Sequence, residues 1–211
     1  MALAVFSPLL ISVIIILRFT GDGEVFYRQQ RVGTDGKLFG LLKFVTMMKD
    51  SEKMAMGTVT VKDDPRVLPV GKYLRKTKIN ELPQLINIFL GDMSVIGPRP
   101  QTERCFGAFP QSSKDAIVRV KPGLSGIGSI VFRDEESILD NPDVDRLQYY
   151  DQIIAPYKGE LEEWYVRNQN LYLYFMLIGL TVWVVAFPKS TVYKKVFTNL
   201  PEVPEKLKSY I

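Results

Sequence analysis

Residues Lys76–Pro100, KTKINELPQLINIFLGDMSVIGPRP, decide how the rest of the chain is read. The run joins a polar pair (Asn80-Glu81), an apolar periodic segment, a Gly-Asp turn and a Gly-Pro-Arg-Pro corner. Asn80 suits a helix N-cap. Glu81 suits the first turn, and Pro83 is tolerated there because its missing N–H has no helical partner. Leu82, Leu85, Ile86, Phe89 and Leu90 recur at helical spacing and predict one buried stripe. Gly91 predicts the stop. Two readings of Asn80-Glu81 stand side by side: a well-capped helix, or a helix N-terminus whose N–H groups and dipole favour a phosphate. Arg99, fixed between two prolines, reads as a salt-bridge partner or as a rigid bidentate ligand for phosphate.

Composition narrows the chemistry. The 211 residues are 46% hydrophobic and 24% charged, which suits one domain, or one domain with a membrane appendage, and excludes a many-span membrane protein. There is no histidine, so Ser-His and Cys-His nucleophile pairs and imidazole metal sites are absent. Acid/base work falls to carboxylates, Lys or Tyr, and a metal on oxygen ligands would be Mg²⁺ rather than Zn²⁺. A lone cysteine, Cys105, excludes an internal disulfide. The net charge of +4 fits nucleic acid, an anionic membrane face or a phosphate-rich substrate. No nucleic-acid-binding motif accompanies it.

Upstream, Ala2–Leu17 carries no charge and would reach ~24 Å as a helix, short of the roughly 30 Å hydrocarbon core. Ser7-Pro8 interrupts it. Proline removes a helical hydrogen bond, and Ser can bond the freed carbonyl. A buried core helix, a spanning helix and a kinked, re-entrant or interfacial insertion are the three readings. Glu24–Arg31 and Lys37–Met47 predict a hairpin about the turn Gly33-Thr34-Asp35-Gly36. Lys43 lies within the second strand, either snorkelling to solvent or binding phosphate. Met48–Met56 reads as helical, and Val70–Lys76 as a basic helical turn.

Downstream, Gln101–Val120 predicts helix with a break near Pro110. Lys121–Gly128, KPGLSGIG, is glycine-rich but lacks dinucleotide or Walker spacing. Ser129–Arg133 predicts a short strand, and Arg146–Arg167 helix broken at Pro156. Leu171–Phe187 is a second charge-free run, with Tyr172, Tyr174 and Trp183 suited to a headgroup interface. Basic residues flank both apolar runs. If the second run spanned, one basic flank would lie outside, against the positive-inside rule. The chain is therefore expected to stay on the cytoplasmic side, both runs dipping into or lying on one leaflet.

The central run resembles the signature of bacterial sugar transferases, the monotopic phosphoglycosyl transferases. Further matches follow in the family's order: Ser7-Pro8, Lys43-Phe44 with Met47, Asp64-Pro65-Arg66, Lys121-Pro122-Gly123-Leu124-Ser125-Gly126, Arg133, and Tyr165-Val166 with Asn168. The resemblance implies transfer of a sugar 1-phosphate from a UDP-sugar to polyprenol (undecaprenyl) phosphate, giving polyprenyl diphosphate-sugar and UMP, in polysaccharide or glycoconjugate assembly. It implies Mg²⁺, a two-step route through an aspartate nucleophile, and the cytoplasmic face of the bacterial inner membrane. Asn80 and Glu81 then occupy the catalytic positions, with Glu81 also on the metal. Lys43, Arg99 and Arg133 would neutralise diphosphate charge. Glu162, where the family has Asp, would serve metal, substrate or structural support. Ser7 and Pro8 would break a re-entrant helix.

The departure at Asn80, where the family has Asp, raises an alternative: a catalytically impaired member acting as a polyprenol-phosphate-binding or scaffold protein. The expected fold is α+β and mostly helical. A small hairpin or sheet lies beside the catalytic helices, with a re-entrant N-terminal helix (1–18), a catalytic domain (19–170), and an interfacial helix with a basic tail (171–211). Sugar specificity is expected in the loops Met48–Val61 or Asp134–Pro156.

Overall fold

The computed structural model describes residues 2–51, 54, 64–139, 145–188 and 190–211. The protein is α+β, mostly helical, with two small two-stranded sheets. Its contacts divide into two compact units, Met1–Gln30 with Gly40–Gly91, and Arg31–Phe39 with Asp92–Ile211.

The first unit opens with α1 (Ala2–Arg18), which continues through Pro8. Proline withholds the N–H that Ala4 O would accept, and the Ser7 hydroxyl donates to that carbonyl at 2.8 Å. Val13 and Leu17 pack with Phe44 and Leu74 in the core of this unit. Val5, Phe6, Ile11, Ile15 and Ile16 face outward, so α1 is not a buried core helix. Among the described residues, no helix is long and apolar enough to cross a membrane.

The expected hairpin is present as β1 (Phe26–Val32) and β2 (Leu38–Phe44), and its strands are divided between the units. At its base Phe26 stacks on Phe44, ring centroids 5.6 Å apart. Of the helix expected over Met48–Met56, residues 52, 53, 55 and 56 lie outside the described residues. Met48–Ser51 is a turn closed by Ser51 N–H on Met48 O. The basic helical turn is α2 (Pro69–Lys76).

The central helix departs from expectation twice. Lys78 adopts a left-handed conformation (φ 60°), and Ile79–Glu81 form a tight 3-10 turn. Asn80 therefore lies inside that turn and is not an N-cap. The helix proper, α3 (Gln84–Leu90), begins after Pro83, and no side chain caps it. Gly91 ends it at φ 89°, as predicted. The helical period holds, but the predicted stripe is not the buried face: Leu82, Leu85 and Ile86 are half-buried and Phe89 and Leu90 exposed. Pro83, Gln84 and Asn87 point inward, while Phe89 (79% exposed) and Leu90 (66%) point out. The cause is a hydrogen-bonding demand. Asn87 Oδ1 accepts from Leu42 N–H at 3.0 Å, and its Nδ2 donates to Gly40 O at 2.9 Å. The polar face of α3 thus satisfies β2 backbone that burial would otherwise orphan.

The second unit is built around β3 (Ser94–Ile96). The helices α4 (Glu103–Gly107) and α5 (Gln111–Ile117) follow, divided near Pro110 as predicted. Then β4 (Gly123–Ser125) pairs parallel with β3, Ser94 opposite Gly123 and Ile96 opposite Ser125. The strand expected over Ser129–Arg133 is instead α6 (Ile127–Val131), closed by Ile130 N–H on Gly126 O. Its β-branched residues carry strand propensity, but the glycine-rich segment takes the place beside β3, and pairing outweighs propensity.

Next come α7 (Glu135–Ile138) and α8 (Arg146–Tyr149). A π-helical turn, Tyr150–Ile154, leads into α9 (Ala155–Asn168), with Pro156 in its first turn. The helical path widens before Pro156 and does not break there, because a first-turn proline leaves no needed donor missing. The charge-free run forms α10 (Leu171–Ala186), which buries Leu173, Leu177, Leu180 and Val184 and exposes Tyr172, Phe175 and Trp183. Thr181 joins it to β4 through Ser125 (Oγ1 to Oγ, 2.8 Å). After a last short helix, α11 (Val192–Val196), the tail packs on α8 and α9. Tyr157 donates to Pro201 O, Tyr149 to Lys206 O, and Phe197 meets Trp164 edge-on at 5.5 Å.

Candidate active site

The sequence-predicted residues fall into two groups. Lys43, Asn80 and Glu81 belong to the first unit, and Arg99, Arg133 and Glu162 to the second.

In the first unit, Lys43 is half-buried on β2, and Asn80 and Glu81 are carried by the 3-10 turn between α2 and α3. Asn80 is 8% exposed, and its buried Oδ1 has no hydrogen-bond partner among the described residues. Such an orphan costs about 1–3 kcal/mol unless a ligand or a water meets it. The same unit holds an ion pair that sequence reading treated only as a turn. Asp64 and Arg66 are both buried. Arg66 donates from Nε to Oδ1 at 2.9 Å and from Nη2 to Oδ2 at 2.6 Å. The hydrogen bonds that Arg66 donates to Asp64 raise the Arg66 pKa, against the effect of burial. The fork fixes the chain where Met47 bridges Val67 and where Leu68 N–H meets Thr46 O, just before α2. The Asp-Pro-Arg spacing was the available signal, but only burial reveals a closed pair.

In the second unit, β3 runs into Gly97-Pro98-Arg99-Pro100. This corner has only two N–H groups, and both are used. Gly97 N–H donates to Ser125 O at 3.0 Å, and Arg99 N–H to Glu162 Oε1 at 3.1 Å. Pro98 O accepts from Gly123 N–H at 2.8 Å, and Arg99 O from Gln101 Nε2 at 3.1 Å. The Arg99 backbone is thus held from both sides.

The glycines of KPGLSGIG make this approach possible. A Cβ on Gly123 would lie 2.1 Å from Gly97 N, and one on Gly128 would lie 2.3 Å from Glu162 Oε1. The loop is glycine-rich because backbone and a carboxylate crowd it, not because a dinucleotide does.

Glu162 is wholly buried on α9, and its Oε2 has no partner among the described residues. Burial pushes its pKa up to about 7, against the Arg99 N–H bond and the charges of Lys158 and Arg99. Lys158, 4% exposed, pairs with Glu135 at 2.5 Å and lies 5.6 Å from the Phe132 ring centroid. A lysine in a polar helix reads as solvated from sequence, so Lys158 escaped notice. Arg133 follows α6, half-buried. Burial lowers its pKa and the neighbouring Asp134 opposes that.

Among the described residues there is no group of three or more acidic or cysteine side chains placed to hold a metal. The oxygen donors adjacent at the turn are the Glu81 carboxylate and the orphaned Asn80 Oδ1. Mg²⁺ keeps several waters and is held by one or two carboxylates plus substrate phosphates, so a carboxylate and an amide oxygen are compatible with it. The chain's part would be those two donors, with the remaining positions left to water and phosphate.

The family model for bacterial sugar transferases matches residues 1–188. The chain is 36% identical over 151 residues to the exopolysaccharide production protein ExoY of Sinorhizobium fredii, covering 65% of this chain and 66% of the relative. It is 34% identical over 185 residues to the UDP-glucose:undecaprenyl-phosphate glucose-1-phosphate transferase of Klebsiella pneumoniae, covering 85% of this chain and 36% of the relative. It is 32% identical to the undecaprenyl-phosphate galactose phosphotransferase of Salmonella typhimurium, covering 88% of this chain and 38% of the relative. The chain thus spans just under two thirds of the first relative and well under half of the others. With a family match that takes in both units and every predicted site residue, the chain belongs to the bacterial sugar transferase family.

Proposed function

We propose that this protein transfers a sugar 1-phosphate from a UDP-sugar to polyprenol phosphate, giving polyprenyl diphosphate-sugar and UMP. The observation that carries the reading is the match, along 85% and 88% of this chain, to relatives named for transfer to undecaprenyl phosphate. In direct transfer, an oxygen of polyprenol phosphate attacks the sugar-bearing phosphorus. The bond from that phosphorus to the bridging oxygen breaks, and UMP leaves with the bridging oxygen. Charge accumulates on the phosphoryl oxygens, so fixed cations act where it develops. Lys43, Arg99 and Arg133 fill that role, with the Arg99 backbone held by Glu162 and Gln101. Mg²⁺, on Glu81 and Asn80 Oδ1, would supply neutralisation of the donor diphosphate. The exposed apolar side chains of α1 and, separately, of α10 would face the cytoplasmic leaflet of the bacterial inner membrane, α1 entering it as a helix that runs on through Ser7-Pro8.

Asn80 favours a second reading. A carboxamide is neutral and a poor nucleophile, so the covalent route of the family is closed to this side chain. The protein would then bind polyprenol phosphate or a partner enzyme as a scaffold. UMP release from a panel of UDP-sugars with undecaprenyl phosphate separates the two, run on the chain as it stands and on Asn80→Asp. Release by the unsubstituted chain is the expected result and rejects the scaffold. Release only after Asn80→Asp rejects transfer by this form.

A further inference from the structure

Asn87 is a buried amide on the inward face of α3, where Gln84 is also buried, and it is hydrogen-bonded to β2. Its two contacts to β2 have a specific geometry. Gly40 O and Leu42 N–H belong to residues of the same parity along the strand, so they point to the same edge. Among the described residues β1 is the one strand paired with β2, and Asn87 meets the other edge. The Asn87 amide presents an acceptor to Leu42 N–H and a donor to Gly40 O, as a peptide group of a third strand would. Lys43 is the next residue along β2. Leu41 and Phe44 on either side of it are buried, which fixes the strand's rotation about its axis.

From this bracket we infer that Asn87 is a positioning residue for Lys43, holding the β2 edge so that the ammonium group meets the donor diphosphate. The inference rests on the reading of Lys43 as a phosphate ligand. Asn87 touches no substrate, and its effect passes through the strand. A single helical side chain thereby holds the edge of β2 opposite β1, and Phe89 and Leu90 of α3 turn outward.

The test is UDP binding by titration calorimetry, which needs no turnover and so does not depend on whether Asn80 can act as a nucleophile. Four proteins are compared: the unsubstituted chain, Asn87→Leu, Lys43→Ala and the double variant. Asn87→Leu keeps the volume and removes both hydrogen bonds. It is expected to weaken UDP binding about tenfold and to speed amide exchange at Leu42. In the Lys43→Ala background it is expected to weaken binding by less than twofold, since the group it positions is gone. Losses that multiply independently overturn the inference, as does unchanged UDP binding by folded Asn87→Leu. If Asn87→Leu does not fold, Asn87→Asp replaces it. The carboxylate still accepts from Leu42 N–H but cannot donate to Gly40 O, and the same non-additivity with Lys43→Ala is expected. Absence of UDP binding by the unsubstituted chain overturns the donor-site reading and the inference with it. Binding by the unsubstituted chain that Asn87 variants leave intact overturns the inference alone.

Discussion

At the scale of single residues, two neighbouring carboxylates on α9 are pushed in opposite directions. Glu163 accepts from the Ser113 and Ser112 hydroxyls and from Arg167. Burial raises its pKa, but these bonds outweigh it and leave the group below the usual range. Glu162, one position away, faces inward and is raised from 4.5 to about 7, with Lys158 and Arg99 as the charged groups facing it. The neutral form is the one the fold favours. Its contribution to stability is complete below pH 4.5, where the carboxyl is protonated both folded and unfolded. It is lost as pH rises through about 7, a change on the order of 3 kcal/mol. Glu162→Gln keeps the acceptor for Arg99 N–H and cannot ionise. Thermal unfolding of the two proteins should converge near pH 5 and separate toward pH 8, with the variant the more stable. Parallel curves across that range would show that Glu162 does not titrate in the fold. Sequence drew attention to Asn80, Glu81, Arg99 and Glu162 through their setting in motifs. It did not reveal that Asn80 Oδ1 and Glu162 Oε2 are buried orphans, because burial is a property of neighbours distant along the chain.

At the scale of elements, α3 carries the main lesson. Its period and its stop at Gly91 were legible, since spacing and a left-handed glycine are local facts. Its orientation was not. The larger apolar set would face the core if burial alone decided, but two backbone groups of β2 needed partners and Asn87 supplied them. Phe89 and Leu90 make little packing contact in the folded chain. Replacing both with Ser should therefore shift unfolding stability by only about 0.5 kcal/mol per site. The same change should reduce co-sedimentation with anionic phospholipid vesicles at least several-fold if the outward face of α3 rests on lipid. A large loss of stability with unchanged vesicle binding would reverse that assignment. β4 makes a related point. Gly123-Leu124-Ser125 has poor strand propensity, yet it pairs with β3 because only glycine fits against Gly97, and the better strand former after it becomes α6.

At the scale of the whole molecule, the chain continues past the last residue matched by the family, and that continuation is packed. Leu207 is fully buried, and the tail accepts hydrogen bonds from Tyr149 and Tyr157 on the helices it covers. Leu207→Ala should cost roughly 2–5 kcal/mol in denaturant unfolding, the range for removing a buried leucine side chain. A cost below about 1 kcal/mol would mark the tail as loosely attached. From sequence this region reads as a basic tail; in the fold Tyr193, Leu207 and Ile211 of it are buried in the second unit.

The sequence by itself determined the α+β class, the hairpin, the Ser7 bond to the carbonyl freed by Pro8, the glycine stop of α3, and the family; the break expected at Ser7-Pro8 is absent, since α1 runs on through it. Each of these depends on local covalent geometry, on spacing, or on a run of residues specific enough to stand alone. Tertiary structure alone decided which face of α3 is buried, which segment pairs with β3, which carboxylate of α9 is sealed from water, and that Asp64 and Arg66 form a closed fork. Those outcomes turn on backbone groups and charges that must find partners across long sequence separations. Satisfying a buried donor or ion outweighs the propensity of any one segment.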